Sequence, residues 1–97
     1  MDNIPESLRR RFTEIFGLPE EIMLNLPLLM MVGRDLVIIE NHQGLQEYLP
    51  ELIELKTSRG SWSFAGSKME IMSIDQELVK IRGQIKEIRF NLGDEQP

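Results

Sequence analysis

A mainly β fold is predicted for this chain: an antiparallel meander of about six to eight short strands forming a sandwich, open barrel or roll, with an N-terminal amphipathic helix over one face or end. Three features of the sequence predict it. From residue 28 onwards, short apolar or alternating runs recur between glycines, the pattern of strands joined by tight turns. The connections between those runs are only a few residues long, which favours antiparallel neighbours. Upstream of residue 28, apolar residues recur instead with the period of one helical face. A short β-solenoid is the competing architecture, and no clean repeat period supports it.

The predicted helix covers residues 5–16. Leu8, Phe12, Ile15 and Phe16 fall on one face, Pro5 suits a first helical turn, and Gly17 suits the left-handed residue just past the end. Residues 18–24 repeat the start signal, with Pro19 followed by Glu20 and Glu21, and predict a further helical turn ended by Leu26-Pro27. The strand-like runs are 28–32, 35–40, 45–49, 51–57, 61–65, 68–74, 77–82 and 85–91. Leu36-Val37-Ile38-Ile39 is apolar on both faces and reads as a central strand beneath the helix. Ile53, Leu55 and Thr57 alternate with Glu54 and Lys56, and Trp62 and Phe64 with Ser61 and Ser63, as in strands with one wet face.

Near the end the inward parity of Val79, Ile81 and Ile85 gives way to that of Ile88, Phe90 and Leu92, so a bulge near Lys86-Glu87 or a turn at Gly83-Gln84 is expected. Gly44, Gly60, Gly66 and Gly83 are expected to serve backbone geometry between strands. The organisation is a helical segment 1–27, a β domain 28–92 and a polar tail 93–97 within one domain, as 97 residues support a single core.

Composition removes several chemistries. With no cysteine, disulfides, thiolate metal sites and cysteine nucleophiles are excluded. No apolar run approaches the ~20 residues of a membrane-spanning helix, and the N-terminus lacks the apolar stretch of a secretory signal, so a cytoplasmic location is expected. A net charge of −5 opposes the phosphate backbone of nucleic acid, which is therefore a disfavoured partner.

His42 is the sole histidine, with Glu40 two residues away as its near acidic neighbour. A structural role, with the imidazole bonded to backbone in the turn shaped by Asn41 and Gly44, is favoured over general-base chemistry, which needs an oriented nucleophile or water. The acidic residues alternate with apolar ones as solvated strand positions do, and no Gly-x-Ser-x-Gly, P-loop or dinucleotide fingerprint occurs. Arg9, Arg10 and Arg11 beside Leu8, Phe12, Ile15 and Phe16 make a basic amphipathic segment. Packing on its own core is favoured for that segment, docking on a partner comes next, and membrane contact ranks last.

The block Leu18-Pro19-Glu20-Glu21-Ile22-Met23-Leu24-Asn25-Leu26-Pro27, then Gly33, then Ile39-Glu40-Asn41-His42 with Gly44, resembles the YabP/YqfC family of sporulation proteins, and more closely the YqfC branch. The resemblance continues through Tyr48, residues 53–57, Gly60, Gly66 and Ile81-Arg82-Gly83-Gln84-Ile85 to Phe90, covering nearly all of 18–92. It implies a small protein of endospore-forming bacteria, made in the mother cell, needed for spore formation and linked to a membrane protein of the same programme. No catalytic residues come with the family.

The expectation is thus a non-enzymatic assembly or adaptor module, without a cofactor, that associates with itself or with a membrane-embedded sporulation protein from the cytoplasmic side of the mother cell. Glu40, Asn41, His42 and Gly44 form the family-motif turn. Residues 8–12, Ile15 and Phe16 form the candidate partner-facing surface. The alternatives are a ligand- or nucleic-acid-binding small β-barrel using Trp62 and Phe64, and a carboxylate-based hydrolase starting from Glu40 and His42.

Overall fold

The structure, a computed structural model, describes residues 10–11, 14–17, 19 and 26–92. Six strands form one antiparallel sheet: β1 (Leu28–Val32), β2 (Leu36–Glu40), β3 (Leu45–Leu49), β4 (Leu52–Thr57), β5 (Gly60–Ile74) and β6 (Leu78–Asn91). Their spatial order is β1-β2-β6-β5-β4-β3. Strands β3 to β6 follow a simple meander. The β1–β2 hairpin instead attaches to the far side of β6, so the chain crosses from one side of the sheet to the other between β2 and β3.

Two of the six strands are long because pairs of predicted runs fuse. The runs 61–65 and 68–74 are one strand, as are 77–82 and 85–91, and the glycines expected to turn the chain bend it instead. Three register shifts mark the bend. Ala65 pairs with Glu87 and Gly66 with Ile85, leaving Lys86 as an extra residue on β6. This is the expected bulge, and it accounts for the change of inward parity. Further along, Lys68 and Met69 stand against Gly83, and Met72 is extra between Ile71 and Ser73.

The bend divides the sheet into two halves that share the β5–β6 hairpin. One half is β1, β2 and the hairpin's tip. The other is the hairpin's base with β4 and β3. At the bend the backbone groups released from the ladder are bonded elsewhere, as buried backbone requires. The N–H groups of Gly66 and Met69 donate to the carbonyls of Glu51 and Pro50 in the β3–β4 turn (3.1 and 3.0 Å). Those of Gly83 and Ile85 donate to Asp35 and Arg34 in the β1–β2 turn (both 3.1 Å).

Val37 and Ile39 of β2, Ile53 and Leu55 of β4, Phe64 of β5, and Val79 and Ile81 of β6 are all fully buried in one cluster with Met69 and Ile85. Strands β2 and β4 are separated by two others, and a flat sheet exposes both its faces. Complete burial of both sets in one core therefore means that the bent sheet curls over its own concave face. The architecture is one open six-stranded antiparallel sheet bent over its own core, at the lower end of the expected strand number. Each fully buried aliphatic or aromatic side chain contributes roughly 1.5–3 kcal/mol, so this single core holds both halves together.

The twelve-residue N-terminal helix is not supported. Among the described residues only Arg10, Arg11 and Glu14 to Phe16 are helical, and Ile15 and Phe16, expected to face the core, are 72% and 62% exposed. The curled sheet explains the difference: its concave face is already filled by its own strands and leaves no apolar floor there for a helix. Gly17 does take the predicted left-handed conformation (φ 65°). The second helical turn, at 18–24, and the polar tail, 93–97, lie outside the described residues.

At least two of the four strand-linking glycines were expected to have unusual backbone geometry. Gly44, Gly60 and Gly83 have φ of 132°, 115° and 147°, and Gly66 lies at a bulge. At Gly83 a Cβ would also stand 2.6 Å from Met69 Cα, whereas at Gly44 it would meet nothing within 4 Å. Gly83→Ala therefore combines backbone strain with collision against the opposing strand. It is expected to lose more than the ~1 kcal/mol of Gly44→Ala, as read by urea unfolding of the two variants.

Candidate functional site

The family-motif residues sit where the chain crosses between the two halves of the sheet. Glu40 is the last residue of β2, is buried, and lies in register with Leu78 on one side and Leu28 on the other. Asn41 then turns the chain with a positive φ of 68°, a conformation that asparagine tolerates better than most side chains. Its backbone N–H donates to the Glu77 carbonyl (2.7 Å), and its side-chain Nδ2 donates to the Leu26 carbonyl ahead of β1 (2.9 Å). Gln43 and Gly44 run beside β4, with the Gln43 N–H bonded to the Lys56 carbonyl (2.7 Å) and the Lys56 N–H to the Gly44 carbonyl (2.8 Å).

His42 is 8% exposed, and both of its ring nitrogens are engaged by backbone. Nδ1 accepts the Gly44 N–H at 3.0 Å, which places the ring proton on Nε2, and Nε2 then donates to the Asp75 carbonyl at 2.7 Å. The imidazole thus clips the crossing segment to the tip of the β5–β6 hairpin. Both ring nitrogens are thereby bonded to backbone, as the structural role expected for the imidazole requires. Among the described residues no group of three or more histidine, aspartate or glutamate side chains is placed to hold a metal.

Asp75 completes the junction from the other side. Its Oδ1 accepts the N–H groups of Glu77 (2.8 Å) and Leu78 (2.7 Å), and its own N–H donates to the Leu78 carbonyl (2.9 Å), so a four-residue turn closes the hairpin. The two backbone donors, from Glu77 first and Leu78 second, hold the Asp75 carboxyl below the ordinary aspartate value of 3.8. Asp75 was not singled out from the sequence. An aspartate that opens a short polar break between two apolar runs is nonetheless a turn signal.

Of the partner-facing candidates, Arg10, Arg11, Ile15 and Phe16 are exposed. Leu8, Arg9 and Phe12 lie outside the described residues. Trp62 is half-buried, packs against the core and meets the Phe90 ring edge-on at 5.1 Å between centroids, so it is not a free stacking platform.

On the convex face a shallow groove of about 300 Å³ is lined by Leu52, Glu54, Ser63, Ala65, Glu87, Arg89 and Asn91. Its polar groups are bonded to one another. Ser63 and Ser61 donate to Glu54 Oε2 (3.0 and 3.4 Å), Asn91 Nδ2 donates to both serine oxygens (3.2 and 3.4 Å), and Arg89 pairs with Glu87 (3.3 Å).

The YabP family profile matches residues 25–96. The chain belongs to the YabP family. It is also similar to the uncharacterized protein YqfC of Bacillus subtilis (strain 168), with 31% identity over 78 residues, 80% of this chain and 84% of that protein. The matched span of the YabP profile takes in all six strands and the clip.

Two outcomes test the junction. His42→Ala leaves the Gly44 N–H and the Asp75 carbonyl without their partner. It is expected to lower stability by about 2 kcal/mol and to speed hydrogen exchange at the Gly44 amide, while amides at the centre of β4 keep their protection. The depressed Asp75 carboxyl contributes stability that is fully present above the unfolded value of 3.8 and is lost as pH falls through the lower folded value. Asp75→Asn keeps the acceptor oxygen but does not titrate, so its unfolding midpoint in urea should fall less than that of the unsubstituted chain as pH is taken from neutral to below that value.

Proposed function

We propose that this chain is a non-enzymatic sporulation protein, an assembly or adaptor module in the mother cell of an endospore former that works at the periphery of a membrane. Membership of the YabP family supports the process. Its partner is a membrane-embedded protein of the same programme or a further copy of itself. Among the described residues, no helix is long and apolar enough to cross a membrane, so contact with the bilayer is assigned to the partner.

The observation that carries the binding role is the distribution of apolar surface. The Asn41 amide and the His42 imidazole of the motif are engaged by backbone, whereas apolar side chains lie open on the edge strand β3, where all five residues are exposed, and at Ile15 and Phe16 beside Arg10 and Arg11. Leu45, Tyr48 and Leu49 are 40%, 46% and 46% exposed on that edge. Exposed apolar side chains and basic apolar segments are surfaces that proteins use for partners. The nucleic-acid alternative is opposed by the net charge and by the packing of Trp62 on the core.

Deletion of the gene in its own endospore-forming host is expected to cut the yield of heat-resistant spores, with the full chain restoring it. A chain lacking residues 1–17 should keep its melting temperature, because Ile15 and Phe16 are not in the core, and yet fail to restore sporulation. Unimpaired sporulation of the deletion strain would remove the process. Loss of folding on truncation would make the segment a structural cap rather than a docking surface.

A further inference from the structure

The sheet has two open edges among the described residues, β1 and β3, and they differ in character. Strand β3 carries Glu47 in register with Glu54, has a bulge at Gln46 and is followed by Pro50, all features that discourage pairing with another strand. Strand β1 is flanked by a proline too, Pro27, but carries no charge and no bulge. Leu28-Leu29-Met30-Met31-Val32 holds neither charge nor proline, runs in unbroken register with β2, and ends with Met31 at 38% and Val32 at 55% exposure.

We propose that the β1 edge pairs antiparallel with β1 of a second copy of this chain about a twofold axis at Met30, joining two six-stranded sheets into one. This deepens the assembly reading by naming its surface, and it rests on that reading only for its biological purpose.

Complementarity selects the occupant. With Met30 on the axis, Leu28 faces Val32 of the second copy and Leu29 faces its Met31, so every cross-strand pair is apolar on both faces. For a chain of net charge −5, self-association has to keep acids away from the joint. This register does so, because no charged residue lies within the five-residue strand. The same operation on β3 would set Glu47 against its own copy. Five residue pairs bury less than the ~1,200–2,000 Å² of a stable interface, so the dimer is weak and reversible, with a dissociation constant in the micromolar to millimolar range.

The chain has no cysteine, so a single introduced thiol reports the contact without background. Residues directly opposite on antiparallel strands have Cα atoms about 4.5–5.5 Å apart, within disulfide reach. In the full chain under copper-phenanthroline oxidation, Met30→Cys is expected to form a covalent dimer at least tenfold faster than Glu47→Cys. Sedimentation of the unsubstituted chain should show mass rising towards twice the monomer with concentration. Val32→Lys places a charge opposite Leu28 at an already exposed position, and should abolish that rise while leaving the circular dichroism unchanged. A monomer up to about 1 mM, equal cross-linking rates at positions 30 and 47, or a Val32→Lys chain that still dimerises overturns the pairing. These readings come from purified protein and stand apart from the sporulation phenotype, so either idea can fail alone.

Discussion

Everything in this molecule depends on one backbone approach, where the long β5–β6 hairpin bends and its two strands press against each other at glycines. A side chain at Gly66 would run into the Gln84 carbonyl, and one at Gly83 into Met69 and the Lys68 carbonyl. With only hydrogen on those α-carbons, the strands can close, slip register and turn their inward faces towards each other. Without the bend, the side chains of β2 and β4 would lie on a flat sheet with water over them. The bend in turn releases four N–H groups, and it persists because the β1–β2 and β3–β4 turns supply carbonyls to all four. Curvature, turn placement and core are therefore one constraint satisfied together.

The crossing segment answers the problem that this curvature creates. A rolled open sheet has two halves whose far strands share no ladder, and something must fix the hairpin tip against the half that carries β4. Glu40 to Gly44 does this with backbone bonds to Glu77 and Lys56, and with an imidazole that bridges Gly44 and Asp75. Glutamate, asparagine and histidine in one short motif invite a catalytic reading. Here asparagine supplies a positive φ and histidine supplies a rigid donor–acceptor pair, and the same residue types serve geometry.

The sheet was legible in the sequence because period-2 alternation survives locally. Ile53, Leu55 and Thr57 are buried as their spacing predicts, and the parity change near Lys86 marks a real bulge. The fusion of four runs into two long strands was hidden, since a glycine that permits a bend is written like a glycine that permits a reversal. Strand order was hidden for a related reason: a short connection such as Asn41–Gly44 usually joins neighbours, and here it crosses the roll. The His42 turn was legible because its partner Gly44 is local, whereas Asp75 lies thirty-three residues away and no local spacing points to it. The N-terminal helix was misjudged because an apolar stripe shows that a face must be buried without saying on what.

That last error bears on function. A curled sheet consumes its concave face as core and bonds much of the polar lining of its convex groove internally, so neither face leaves a broad, dry platform. What remains among the described residues is linear: the sheet edges β1 and β3, and the exposed basic apolar residues Arg10, Arg11, Ile15 and Phe16. Such surfaces recognise extended backbone and short apolar anchors rather than small molecules. A fold that uses its histidine to hold a turn leaves recognition to its edges, where affinity is set by how many of them engage at once.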